Sequence, residues 1–166
     1  MRRILAVLTL MALLVVALAV PAFARGATQI SGVGFLPDKQ TCNDPGGEGA
    51  DPGGEAADYA LILTGDLEGC LYTSIETAKS SPSGTYRETG TEVFVASDGS
   101  GTFETTYRFE AKYEDVDNLT GEIFGRCQHP IVKGSGTGIF EGVTGRLDFK
   151  DDIEAVNFPY RGHLRW

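Results

Sequence analysis

The 166-residue chain carries 14 basic and 23 acidic residues, a net charge of −9 with its histidines neutral. That sign removes the electrostatic attraction on which binding to nucleic acid or to anionic lipid headgroups rests, so neither is expected as a partner. The length suits one domain, and 22 glycines fit short strands joined by tight turns better than a helical bundle.

The chain opens with the basic Met1-Arg2-Arg3, continues through the apolar run Ile4–Val20 and reaches Pro21-Ala22-Phe23-Ala24. A charged start, an apolar stretch and small residues flanking one position are the parts of a secretory signal peptide. Cleavage after Ala24 is expected, giving a protein outside the cytoplasm with no stable membrane insertion. A retained anchor is the alternative, because the run approaches the lower limit of a span, about 17–25 residues. Without Arg2 and Arg3 the remainder holds 12 basic (14 less 2) against 23 acidic residues, a net charge of −11. Residues 25–58 are expected to hold a first strand and an acidic loop, and residues 59–166 the main body of one domain, whose barrel spans about 29–166.

Gln29–Phe35 reads as the first strand. Pro37–Asp58 contains DPGGEGA (Asp44–Ala50) followed by DPGGEAA (Asp51–Ala57), tandem Gly/Pro-rich copies that cannot build a core and read as a solvated loop. Asp44, Glu48, Asp51 and Glu55 are hard oxygen ligands, but their spacing matches no calcium-loop pattern, so no metal is expected. Tyr59–Thr64 and Cys70–Ala78 form a hairpin around Gly65-Asp66-Leu67-Glu68-Gly69. Thr85–Ala96 follows, then the turn Ser97–Gly101. Gly101–Glu114 alternates most cleanly: Phe103, Thr105, Tyr107, Phe109, Ala111 and Tyr113 on one face, charged residues and Thr106 on the other. After Asp115–Asn118, Leu119–His129 is a strand that Pro130 disrupts. Leu147, Phe149 and Ile153 share a later apolar face, and Tyr160, Gly162, Leu164 and Trp166 alternate with Arg161, His163 and Arg165. The fold class is all-β: a small antiparallel up-and-down barrel of about eight strands, its last strand closing on the first.

Gly134–Phe149, GSGTGIFEGVTGRLDF, has the form G-x-G-T-G, an apolar–aromatic pair, G-x-x-G and a strand. This resembles the late segment of the allene oxide cyclase-like and dirigent-like barrels, with Gly136, Gly138, Phe140, Gly142 and Gly145 at the matching positions. It also resembles small secreted bacterial proteins carrying that barrel. The resemblance implies the fold, and its glycines carry turning rather than chemistry. The cavity acid and asparagine of that family have no matching positions here, so its cyclase activity does not transfer. No phosphate-binding glycine pattern and no G-x-S-x-G elbow occurs.

Pairing Ala96 with Thr102 across the Ser97–Gly101 turn sets Val95, Val93, Thr91, Thr89 and Arg87 inside, beside the aromatic face of Gly101–Glu114. Pairing Glu114 with Leu119 likewise turns Thr120, Glu122, Phe124 and Arg126 inward. The candidate ligand-binding residues are therefore Arg87, Tyr107, Phe109, Glu122, Phe124 and Arg126, an aromatic cavity with two arginines and a carboxylate that suits an amphipathic ligand with an acidic head. A slip of one residue would reverse every side chain, bringing Leu119, Ile123 and Cys127 inward instead.

Cys42, Cys70 and Cys127 allow one disulfide. In a meander the start of the third strand and the end of the sixth share a barrel end, which favours Cys70–Cys127 and leaves Cys42 free. His129 and His163 have no metal-ligand spacing and read as packing or surface residues. No cofactor is expected, and no catalytic residue is assigned. Three functions stay open: binding of a small hydrophobic or amphipathic molecule, an isomerase or cyclase as the resemblance implies, or an interaction protein with a filled barrel. In the second, Glu122 would be the acid/base and Arg87 or Arg126 its electrostatic partner. Asn118-Leu119-Thr120 is a glycosylation sequon of use only in a eukaryotic secretory host. Oligomeric state is not legible.

Overall fold

The computed structural model describes residues 26–36, 42 and 57–166. The expected signal peptide and the proposed oxygen ligands Asp44, Glu48, Asp51 and Glu55 lie outside the described residues. Eight strands follow one another: β1 (Thr28–Phe35), β2 (Tyr59–Gly65), β3 (Gly69–Ser80), β4 (Thr85–Ala96), β5 (Thr102–Asp115), β6 (Thr120–Pro130), β7 (Thr144–Lys150) and β8 (Phe158–Arg165). Each pairs antiparallel with the next, and β8 returns to β1, so the sheet closes into an up-and-down barrel as the alternation predicts. Closure removes the exposed strand edges that would otherwise invite pairing with other chains. The single helical turn among the described residues is the 3-10 segment Gly138–Phe140. No helix in the described residues is long and apolar enough to cross a membrane.

The aromatic face of β5 points inward, with Phe103, Thr105, Tyr107 and Ala111 buried and Phe109 and Tyr113 half-buried. Its neighbours differ from the expected register. Ala96 N–H donates to Gly101 O at 3.1 Å, so the hairpin loop is Ser97–Ser100 and Gly101 belongs to the ladder. Phe94 then faces Phe103, one residue out from the expected pairing. That single step turns Glu88, Gly90, Glu92, Phe94 and Ala96 inward and sends Arg87 to the outer wall. On β6, Tyr113 pairs with Glu122, but Lys112 pairs with Phe124 because a bulge absorbs Ile123. Glu122 therefore keeps its expected direction, while Phe124 and Arg126 flip outward and Cys127 and His129 flip inward. Ile153, expected on an inner face, is exposed in the β7–β8 connection.

One end of the barrel is solid. Phe94 stacks on Phe103 with centroids 4.9 Å apart, and Phe140 meets both edge-on at 5.7 and 5.1 Å. Phe140 arrives there from the Gly-rich segment of the sequence motif. Gly138 has φ +57, and a Cβ on it would lie 2.0 Å from Ser100 O. That close approach seats the 3-10 turn against the β4–β5 hairpin, a placement only glycine tolerates. Leu71, Val143, Leu147 and Leu164 complete the fill.

The disulfide joins Cys42 to Cys70, not Cys70 to Cys127. Cys42, expected at the opposite barrel end, instead lies 5.8 Å from Cys70 between Cα atoms, on the outer side of the wall. Cys70 packs with Cys42, Ala57, Ala60 and Tyr72 in a second apolar cluster formed by outward-facing positions of β2 and β3. Cys127 lies in the interior core as a free, buried thiol. Two cysteines on opposite faces of one sheet cannot meet the close Cα spacing that a disulfide needs.

Candidate functional site: a half-hollow barrel

The opposite end, where β1 finishes and β2, β4, β6 and β8 begin, holds a cavity of about 290 Å³. Its walls are mostly aromatic and aliphatic: Leu36, Tyr59, Leu61, Tyr86, Phe109, Tyr113, Leu119, Phe149 and Phe158. The polar lining is Glu88, Glu92, Glu122, Asp151 and His129, with Cys127 beside them. Among the described residues no lysine or arginine lines it.

The inward turn of β4 places two glutamates in this interior, and neighbouring strands supply their donors. Glu92, 3% exposed, accepts from Thr73 Oγ1 at 3.1 Å and Thr105 Oγ1 at 2.5 Å, and its Oε2 lies 2.5 Å from His129 Nδ1. Glu88 accepts from the hydroxyls of Tyr86 at 2.5 Å and Tyr107 at 2.6 Å. Both carboxyls thus receive several strong donors, which offsets the cost of burying them. Burial, and then the hydrogen bond to Glu88, raises the pKa of both Tyr86 and Tyr107. Burial likewise raises Tyr59 and the Cys127 thiol, so Cys127 is a poor thiolate nucleophile.

His129 is 3% exposed and lies between Phe149, centroids 4.6 Å apart, and Tyr107, at 6.0 Å. With Nδ1 committed to Glu92, its Nε2 has no hydrogen-bond partner among the described residues. When Nδ1 carries the proton donated to Glu92, the neutral ring presents Nε2 as an acceptor. The pair has the form of a carboxylate that orients an imidazole, an arrangement able to hold or move a proton at Nε2.

Nearer the mouth, Glu122 and Asp151 crowd Gly125. A Cβ at that glycine would lie 2.0 Å from Asp151 Oδ2 and 2.5 Å from Glu122 Oε1. Burial, with the hydrogen bond and charge of Glu122 behind it, pushes Asp151 up to about 7. A protonated Asp151 has the Glu122 carboxyl beside it as an acceptor. Among the described residues Glu122 Oε1 is buried with no donor other than the Asp151 carboxyl. Tyr113, paired across the strands with Glu122, is raised to about 12, by burial first and then by the charges of Glu122 and Asp151.

Of the residues expected in a cavity, Phe109 and Glu122 line it, and Tyr107 sits against it through Glu88. Arg87 and Arg126 do not. They bind opposite sides of Glu110 on the outer wall, at 2.9 and 2.7 Å, and hold that carboxyl below its usual range. Phe124 is 39% exposed outside. Glu88, Glu92, His129 and Asp151 were missed. The signal for the glutamates was present in Tyr86, Glu88, Gly90, Glu92 and Phe94, which alternate as regularly as the face chosen instead. Among the described residues no group of three or more His, Cys, Asp or Glu side chains could hold a metal ion. Comparisons of the chain with protein-family models, with curated proteins and with solved structures return no match.

Proposed function

We propose that this is a secreted protein that binds a small hydrophobic or amphipathic molecule inside the barrel, within the allene oxide cyclase-like or dirigent-like kind. The observation that carries the reading is the cavity itself: apolar walls around the unpartnered Nε2 of a buried histidine. Largely apolar pockets with a few fixed polar groups are the usual form of small-molecule sites. A buried polar atom without a partner costs about 1–3 kcal/mol, and a ligand that donates to it recovers part of that cost. The disulfide is compatible with an extracytoplasmic location. Native mass spectrometry of the protein purified from its secreting host tests the reading, with a co-purified adduct of a few hundred daltons expected. His129→Phe fills the apolar side and removes the acceptor, so the adduct should vanish. An adduct retained at full occupancy in that variant would place the ligand elsewhere.

A second reading, an isomerase or cyclase, is favoured by the Glu92–His129 pair. The acid/base role expected of Glu122 with an arginine partner loses its support, since both arginines are outside. His129 Nε2 would instead take and return a substrate proton while Glu92 fixes the ring. A Glu92→Gln variant that keeps the adduct but loses turnover of the identified ligand would support catalysis.

A further inference from the structure

We infer that the molecule taken by this cavity is a small organic cation, its protonated nitrogen seated at the Glu122–Asp151 pair near the mouth. The inference rests on the binding reading above and adds the charge of the ligand to it.

The polar groups of the lining differ in how far the protein has already satisfied them. Glu92 receives two threonine hydroxyls and the His129 ring, and Glu88 receives two tyrosine hydroxyls. Glu122 and Asp151 have no such supply: they meet over Gly125, and among the described residues Glu122 Oε1 finds no donor beyond the Asp151 carboxyl itself. The lining therefore holds four carboxyl groups, those of Glu88, Glu92, Glu122 and Asp151. The one basic side chain beside them is His129, already committed to Glu92, and no lysine or arginine is contributed by the described residues. In so apolar an enclosure that imbalance repels a carboxylate ligand and attracts a cation.

The walls suit the same ligand. Tyr113, Tyr86 and Phe109 stand at the mouth end, and Tyr86 lies edge-on to both of the others at 6.2 and 6.3 Å. Aromatic rings beside carboxylates are the recognition chemistry of ammonium groups, because the ring face and the carboxylate oxygens both attract positive charge. An ammonium donates up to three hydrogen bonds, enough to bridge both mouth carboxyls. The apolar remainder of the molecule then lies along Phe149 and Phe158, and His129 Nε2 offers an acceptor to any second N–H or O–H it carries. The acidic-headed ligand expected from an arginine-lined interior is the opposite of what this lining selects.

Calorimetric titration of the purified protein at pH 7 with octylamine, 1-octanol and octanoate tests the charge at constant chain length. Octylamine is expected to bind roughly ten-fold or more tightly than octanol, with octanoate weakest, as desolvated ammonium–aromatic contacts predict. The double variant Glu122→Gln, Asp151→Asn should lose that preference, octylamine falling to the level of octanol. Octanoate or octanol equalling octylamine would overturn the cation inference while leaving a binding cavity. No saturable binding of any probe would overturn the binding reading along with it. Octylamine binding untouched by the double variant would assign it to the acidic surface and overturn the inference as well. The ranking in the unaltered protein decides the question if the double variant does not fold.

Discussion

The two ends of this barrel are made from the same strands and do opposite things. At the closed end, β4 and β5 contribute Phe94 and Phe103, and Phe140 drops between them, so the interior is filled by rings in contact. At the open end the same two strands contribute Glu88, Glu92, Phe109 and Tyr113, and the interior holds a cavity with carboxyls in its wall. The difference shows how a small barrel accommodates polar chemistry. The apolar burial that offsets chain entropy is concentrated at one end, which leaves the other free to carry groups that cost stability.

The comparison breaks most visibly at the closed end. Phe103→Ala removes a fully buried ring and should lower stability by about 3–5 kcal/mol, read from urea unfolding. A loss below about 1 kcal/mol would mean that the closed end is not the stabilising half. Replacing Cys42 and Cys70 together by serine opens a link of sequence separation 28, and in the chain-entropy picture should cost about 3–4 kcal/mol. This second change acts on the outer wall, so the cavity should keep its ligand affinity once the folded fraction is accounted for.

At the open end the effect is smaller and depends on pH. Asp151 is raised from 3.8 to about 7 in the folded protein. Between these values the native state holds more protons than the unfolded chain, so stability falls as pH rises through that window. The penalty is absent below about pH 4 and complete above about pH 7. Asp151→Asn should flatten this slope and leave the variant more stable at pH 8 by about 1–2 kcal/mol, after discounting for partial exposure. An unchanged slope across pH 4–8 would show that the mouth pair is not strained. The smallest expected effect is that of Arg87→Ala, which should move neither the unfolding midpoint nor ligand affinity measurably, since the side chain lies on the exposed outer wall. A marked loss of affinity would return Arg87 to the site.

The strands were legible because alternation and Gly-rich turns are local properties. Thr85–Ala96 was delimited from sequence as it stands in the fold, and closure of the last strand on the first followed from its alternation. The candidate site was legible only in part, because side-chain direction depends on single residues in turns and bulges. Gly101 pairs in the ladder rather than lying in the turn, and this alone exchanged Arg87 for Glu88. The bulge at Ile123 left Glu122 correct and reversed Phe124 and Arg126. Nothing in the alternation of Leu119–His129 marks an extra residue, since both faces of that segment mix polar and apolar side chains. The disulfide was missed for two reasons: the facing of Cys70 and Cys127 follows from register, and Cys42 lies beside Cys70 rather than at the far barrel end.

Trp166 is the one tryptophan of the chain, and its indole Nε1 donates to Ile139 O at 3.0 Å, beside the plug that carries Phe140. Tyr59, Tyr86 and Tyr113 line the other end. Tyr72, Tyr107 and Tyr160 are not among its lining, so tyrosine signals average over the molecule, whereas emission from the single indole reports the packed end alone. Loosening of that end can be watched without attaching a label.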